Sequence, residues 1–323
     1  MIVGFIINTF CSRGTETNVW SYAYYNQTIL KNKSIIIVRK IFNNMTGPDF
    51  TEDAKLRFTQ NFETYELLDE EIENIIATLQ IDVCMVTCVG GNPLDYCPKN
   101  VPTITSCIFN ANYPLGTLHT TISPYLSHNK CLLLPFIIHT VDTSENMRTE
   151  LNIPSDSIVF GRYGGYDQFS IPFVTQVVTQ VAINNPSIYF IFMNTKPFCN
   201  NISNIKFIDN SSSWLTRQKF VNTCDAMIHA RSEGETFGLA CGEFAISNKP
   251  IITCKYGDLA HIEILKEKAI IYTNQSDLYD ILTNFNKYNT DMTENGYYEY
   301  LPEKGMMIFK NFLEQAITKY NSI

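Results

Sequence analysis

Short apolar runs recur along the whole chain, separated by stretches whose apolar residues fall at helical spacing. That alternation constrains the fold more than any other feature, because it is the pattern of βαβ units stacked around a parallel sheet. In the first half, Ile2–Ile7, Ser34–Val38, Asp82–Thr87, Val101–Ile108 and Leu132–Ile138 read as strands. Helical spacing covers Thr17–Leu30 and Glu70–Leu79. A second start follows: Asn146–Leu151 reads as a short polar helix and Ile153-Pro154-Ser155-Asp156 as a turn-like break. Beyond it, strands are expected at Ser157–Phe160, Ile188–Met193, Ile205–Ile208, Ala226–His229, Pro250–Ile252 and Ala269–Tyr272. Helices are expected at Pro172–Ile183, Trp214–Asn222 and Gly238–Ser247. The expectation is an α/β protein with two doubly wound domains, 1–145 and 146–305, and a last helix, 306–323, packing back on the first.

Charge and cysteine usage remove several classes of function. The net charge is −8, and the nearest approach to a basic run is the pair Arg39-Lys40, so a nucleic-acid partner is not expected. Any phosphate-bearing ligand must be held by a few placed groups. The ten Cys are scattered from Cys11 to Cys254 without a CxxC pair, and the loose group Cys84, Cys88 and Cys97 has no partner at zinc spacing. Reduced thiols and a cytoplasmic location are the expectation. The opening MIVGFIINTF lacks a basic flank and reads as a buried first strand, not a leader. No apolar stretch approaches the ~20 residues of a membrane span, which leaves room for peripheral membrane contact. Sequons at Asn26, Asn44, Asn201, Asn210 and Asn274 read as chance matches in an Asn-rich chain.

In doubly wound sheets, ligands bind beyond the carboxyl ends of the strands, so the strand-to-helix turns are where chemistry belongs. The most informative is Arg231-Ser-Glu-Gly-Glu-Thr-Phe-Gly-Leu-Ala-Cys-Gly-Glu243, followed by Lys249-Pro250-Ile251-Ile252. Gly234 and Gly238 permit a tight turn and close approach of backbone to ligand. A helix starting near Gly238 points free amides at an anion, and Glu235 and Glu243 can accept hydrogen bonds from sugar and ribose hydroxyls. Gly161-Arg162-Tyr163-Gly164-Gly165 offers a cation and two glycines immediately after a strand. Arg13-Gly14-Thr15-Glu16, Asn194-Thr195, His229-Ala-Arg231 and Gly257-Asp258…His261 occupy corresponding turns. His119, His128 and His139 read as structural or exposed.

The joint pattern E-x-F-G-L-x-x-x-E with K-P-x-I after it resembles the E-x7-E element of retaining GT-B glycosyltransferases, especially family 4. The resemblance implies two Rossmann-like domains facing a central cleft, with a nucleotide sugar held by the C-terminal domain and a glycan or other hydroxyl acceptor by the N-terminal one. It implies Glu235 on the donor sugar and Arg162 on the diphosphate as the catalytic pair. Donor contacts are implied at Gly14, Thr15, Gly164, Asn194, Arg231, Thr236, Phe237, Gly238, Leu239 and Glu243, the last on the ribose. No cofactor is implied, and the absence of a D-x-D pair agrees with metal-independent transfer. The sequence departs from the family in three places: Thr236 replaces a common Gly, Gln168 stands near a usual Lys, and Ser106 aligns with a frequent His. Those departures keep two alternatives open, a non-catalytic nucleotide-sugar-binding relative and a nucleotide-sugar epimerase.

Overall fold

The computed structural model describes residues 1–40, 50–127, 131–288 and 290–322. His128 and the Asn44 sequon lie outside the described residues. The chain divides into two compact units, Met1–His139 with Glu299–Ile323, and Thr140–Tyr298. The breaks therefore fall six to seven residues ahead of the 145/146 and 305/306 boundaries expected from the sequence.

The first unit holds β1 (Ile2–Ile7), α1 (Gly14–Thr28), β2 (Lys33–Arg39), α2 (Glu52–Thr59), β3 (Glu63–Leu67) and α3 (Asp69–Thr78). It continues through β4 (Val83–Cys88), β5 (Thr103–Cys107), β6 (Leu118–Thr121), α4 (Pro124–Ser127) and β7 (Leu132–Leu133). Its seven strands pair in parallel in the order β3-β2-β1-β4-β5-β6-β7. β1 sits between β2 and β4, and Val3 through Ile7 are all buried, as a strand covered on both faces requires. The edge strand β3, Glu-Thr-Tyr-Glu-Leu, has no fully buried residue, so it lacks the apolar run that marked the central strands.

The second unit holds β8 (Ile158–Tyr163), α5 (Pro172–Asn184), β9 (Ile188–Met193), β10 (Ile205–Ile208), α6 (Trp214–Thr223), β11 (Ala226–Ile228) and β12 (Gly234–Glu235). It ends with α7 (Leu239–Ile246), β13 (Ile251–Thr253), β14 (Asp258–Leu259), α8 (Ala260–Leu265), β15 (Ala269–Ile271) and α9 (Gln275–Thr283). Its main sheet runs β10-β9-β8-β11-β13-β15, all parallel. Both sheets thus have the doubly wound order in which the winding direction reverses beside the first strand of the unit. α5 shows why the local pattern folds as it does: Pro172 presets the first turn, and Val174, Val177, Val178 and Val181 recur on one buried stripe.

Two expected elements take other forms. Asn146–Leu151 is a turn, not a helix. Arg148 holds the segment in that form by donating to the carbonyls of Pro154 and Ser157 and to Asp225. The run Leu132–Ile138 pairs only over Leu132–Leu133. Pro135 has no N–H to give a ladder, and the extended chain is instead tied down by Tyr22 Oη donating to Pro135 O (2.6 Å) and Ile137 N donating to Asn18 Oδ1 (2.9 Å). The last helix, α10 (Pro302–Tyr320), belongs to the first unit, where Phe309 meets Tyr22 and Phe5 at ring-centroid distances of 5.0 and 6.0 Å.

Gly161 lies mid-strand in β8, and a Cβ there would come within 2.1 Å of Cys224 Sγ, itself wholly buried. Gly161→Ala should therefore destabilise the protein by roughly 1–3 kcal/mol through overpacking. Removing the sulfur with Cys224→Ala in the same chain should return part of that loss. Urea unfolding of the single and double variants measures it; additive losses would show that the clash is not the cause.

Candidate functional site

The reversal point of the second sheet lies between β8 and β11. β11 pairs with β8 only through Phe160 and Gly161, so the next residue of β8, Arg162, extends past the last pairing on that side. On its other side Arg162 stays in register with Phe192 of β9. Its guanidinium is buried, with the residue 5% exposed. Nη1 donates to Thr195 Oγ1 (2.6 Å) and, at longer range, to Asn194 O (3.4 Å), while Nη2 donates to Gly165 O (2.9 Å). Every one of these partners is neutral, and among the described residues no carboxylate lies within ion-pair distance. Burial pushes Arg162 down to about 10, Glu235 supports its charge and Arg231 opposes it.

The loop after β8 is built to hold that guanidinium. Asn194, in the left-handed region at φ 50°, donates from Nδ2 to Gly164 O (2.7 Å), and Gln168 Oε1 accepts from Gly165 N (3.2 Å). Asn194 and Gln168 therefore act as braces of the Arg162 loop. A Cβ on Gly164 would lie 2.8 Å from Arg162 Nη2, so glycine lets the guanidinium fold under its own loop.

Glu235 follows β11 by way of the short pair β12–β14, where Gly234 pairs with Asp258 and Glu235 with Leu259. Gly234 (φ +67°) and Gly257 (φ +58°) have no room for a Cβ: it would sit 2.1 Å from Asp258 O and from Glu233, respectively. This close backbone crossing fixes where the Glu235 side chain starts. Its carboxylate accepts from His229 Nε2 at Oε1 (3.2 Å) and from Arg231 Nη1 at Oε2 (3.1 Å), and its side chain is 21% exposed. Burial pushes the acid up, but the His229 hydrogen bond and the charge of Arg231 outweigh it, so Glu235 titrates below its ordinary value. It is an anchored carboxylate with one lone-pair position left on each oxygen.

Gly238 (φ +83°) caps α7, and Gly242 N already bonds to Gly238 O (2.9 Å), which leaves the amides before it for a ligand. One turn on, Glu243 is 6% exposed and its carboxyl has no hydrogen-bond or ion-pair partner among the described residues. Burial alone pushes it up to about 8. A buried, unpaired acid on the helix that follows the Glu235 loop is costly to keep.

The structure gathers Arg162, Gly164, Asn194, Arg231, Glu235, Thr236, Gly238, Leu239 and Glu243 in the second unit, around the ends of β8, β9 and β11 and the start of α7. Thr236 and Leu239 are half-buried. Phe237, expected among the donor contacts, turns its ring inward. That ring is 2% exposed, lies edge-on to Tyr297 at 5.8 Å, and the Tyr297 hydroxyl donates to Phe237 O (2.7 Å), so it anchors the loop to the core. Gly14 and Thr15 open α1 in the first unit, Gly14 exposed and Thr15 half-buried. Ser106 is enclosed in β5 at 1% exposure. His119 bonds Ala111 O through Nε2 (2.9 Å), and His139 meets the Tyr25 hydroxyl through Nδ1 (2.6 Å), so both work within the first unit's scaffold. Thr195, read from the sequence as part of the Asn194-Thr195 turn, holds Arg162, whereas Thr253, which holds His229, escaped the sequence reading, because a single threonine in a strand carries no spacing signal.

No family model and no curated protein matches the sequence. Solved structures do match it along nearly its whole length. HepE of Anabaena, in complex with UDP and glucose, superposes with a TM-score of 0.68 at 10% identity, covering 97% of this chain and 98% of that one. A glycosyltransferase from Rickettsia africae ESF-5 gives 0.65 at 14% identity, covering 99% and 97%. Sucrose-phosphate synthase from Thermosynechococcus elongatus gives 0.64 at 11% identity, covering 100% and 99%. Identities this low carry the fold and nothing finer, and the fold is GT-B: two units, each with a parallel doubly wound sheet, arranged along the chain as in these glycosyltransferases.

Proposed function

We propose that this chain is a retaining, metal-independent glycosyltransferase of the E-x7-E type, moving a sugar from a nucleotide-diphosphate donor to a hydroxyl of a glycan acceptor in the cytoplasm. The observation that carries the reading is Arg162: a buried cation at the sheet's reversal point whose protein partners are all neutral. A diphosphate is the ligand such a group suits. On this reading Arg162 and the free amides of α7 stabilise the leaving nucleoside diphosphate as its charge grows. Glu235, locked by His229 and Arg231, accepts hydrogen bonds from the donor sugar, and Glu243 accepts from the ribose. The bond from the anomeric carbon to the phosphate oxygen breaks as the acceptor oxygen attacks from the same face. The acceptor's proton passes to the departing phosphate oxygen, so no base of the protein is required.

Calorimetric titration with UDP-glucose and UDP, beside a transfer and hydrolysis assay, tests the proposal. Arg162→Ala should lower turnover by ~10²–10³, the typical loss for one preorganised donor to a developing oxyanion, while free uridine binds unchanged. A variant that binds UDP-glucose and turns it over like the parent would remove Arg162 from the site. Activity should also survive EDTA; loss that Mg²⁺ or Mn²⁺ restores would overturn the metal-independent mechanism.

Glu243 gives a prediction that needs no substrate. Its folded value near 8 is raised above the ordinary 4.5, so between those two the folded state keeps a proton that the unfolded state has released. Stability of the ligand-free protein must then fall as pH rises through that window, by up to about 1.4 kcal/mol per pH unit from this group. Glu243→Gln should abolish that contribution and be the more stable protein above pH 8, yet bind UDP-glucose less well. Parallel pH dependence of the two proteins in urea unfolding would show that Glu243 is not held neutral.

A further inference from the structure

Behind Glu235 lies a chain of buried polar groups that none of the donor contacts uses. His229 Nδ1 is 2.9 Å from Thr253 Oγ1, and the same oxygen is 2.9 Å from His261 Nε2. The two imidazole rings lie 4.7 Å apart, with His229 4% exposed and Thr253 and His261 wholly buried. His261 Nδ1 is buried and has no hydrogen-bond partner among the described residues. We propose that His261 and Thr253 are positioning residues that lock His229 as the Nε2–H donor to Glu235 and so fix the carboxylate for the donor sugar. The proposal rests on reading Glu235 as the donor-sugar contact.

The direction of the chain follows from counting protons. An ionised Glu235 can only accept, so His229 Nε2 must carry hydrogen. Thr253 has one proton to share between two rings. If it donates to His229 Nδ1, its oxygen accepts from His261 Nε2–H, and His261 Nδ1 is a bare nitrogen. If it donated to His261 instead, His261 Nδ1 would carry an N–H in a place with no acceptor. A buried N–H left unpaired costs the full loss of its hydration, whereas a bare ring nitrogen forgoes only a weak acceptor. A Thr253 oxygen that accepted from both rings would leave its own buried hydroxyl hydrogen without an acceptor among the described residues, so one arrangement remains: His261 Nε2–H to Thr253 Oγ1, Thr253 O–H to His229 Nδ1, His229 Nε2–H to Glu235. Burial drives His261 down to about 3, so it serves as a neutral hydrogen-bond donor. The other groups facing Glu235 are Arg231 on its own loop, Arg162 from β8 and Cys241 from α7.

Nitrogen-15 NMR of the full-length, histidine-labelled protein reads the chain without reference to activity. Both His229 and His261 should report the Nε2–H tautomer at neutral pH; an Nδ1–H tautomer at either ring overturns the proposal. Thr253→Val, close in shape but without the hydroxyl, should release the His229 tautomer and lower kcat by about 10- to 100-fold, with KM for UDP-glucose little changed, because a mis-set carboxylate costs orientation. It should also move the acid limb of the kcat–pH profile to higher pH, since Glu235 loses a fixed donor. Thr253→Ser should restore tautomer, rate and profile together. A folded Thr253→Val with the parent's rate and pH profile would leave the chain a purely structural device. Wild-type protein that neither binds nor turns over a nucleotide sugar would sink the transferase reading, while the tautomers still decide the proton arrangement.

Discussion

Arg162 holds a positive charge under its own loop, and the surrounding residues are arranged to accept that cost. Taking a guanidinium out of water is unfavourable by several kcal/mol even after relaxation, and proteins ordinarily recover this with a carboxylate. Here the recovery comes from a threonine hydroxyl and a loop carbonyl, with a second, longer carbonyl contact, all neutral dipoles. Such an arrangement leaves the field of the cation uncancelled outside the loop. The geometry around it has the same logic. Asn194 and Thr195 follow β9, Gly164 and Gly165 follow β8, and Asn194 and Gln168 close the loop by side-chain bonds to its backbone. The parts that touch Arg162 are therefore held from two adjacent strands.

Glu235 answers the opposite problem. An acid beside a buried cation would neutralise it if free to swing across. Instead its two oxygens are occupied by His229 and Arg231, and the crossing of Gly234 with Gly257 keeps its backbone against β14. Arg231 acts from both sides: it draws Glu235 toward itself and adds a like charge that opposes Arg162. The outcome is a separated pair, an anchored anion and an unneutralised cation, both at the carboxyl ends of the sheet. On the proposed transferase reading, the anchored anion meets the hydroxyls of the donor sugar and the unneutralised cation its phosphates.

How much of this the sequence disclosed depends on the range of the interaction. The central strands were legible because burial on both faces leaves an unbroken apolar run, as in Ile35-Ile36-Ile37-Val38 or Ile188–Met193. The edge strand β3, Glu-Thr-Tyr-Glu-Leu, and β6, Leu-His-Thr-Thr, were not, since their polar residues leave no apolar run to see. Leu132–Ile138 misled in the opposite sense: Leu134 through Ile138 are buried and so read as a strand, but Pro135 keeps them out of the ladder. At the site, Arg162, Glu235 and Glu243 stood out through local motif context. Phe237 shares that context yet points into the core, a distinction set by Tyr297, sixty residues away in the chain. Thr253 and His261 sit in separate elements, and only the fold brings them to His229.

Gln168, which stands near a usual lysine of the resembling pattern, ties its loop with an acceptor and no charge. Gln168 Oε1 accepts from Gly165 N, and Gly165 O in turn accepts from Arg162 Nη2. The glutamine thus fixes the carbonyl that fixes the arginine. A lysine there would bring charge but no acceptor, and the Gly165 amide would lose its partner. It would also place a second positive charge near a guanidinium already pushed down to about 10 by burial, raising the electrostatic cost that the neutral dipoles now balance. Two exposed cations can share a diphosphate loosely, because water screens each from the other. One buried cation must be held rigidly, because its partners are few and each contact carries more of the load. Glutamine at 168 gives the second arrangement, holding the buried guanidinium through the Gly165 backbone.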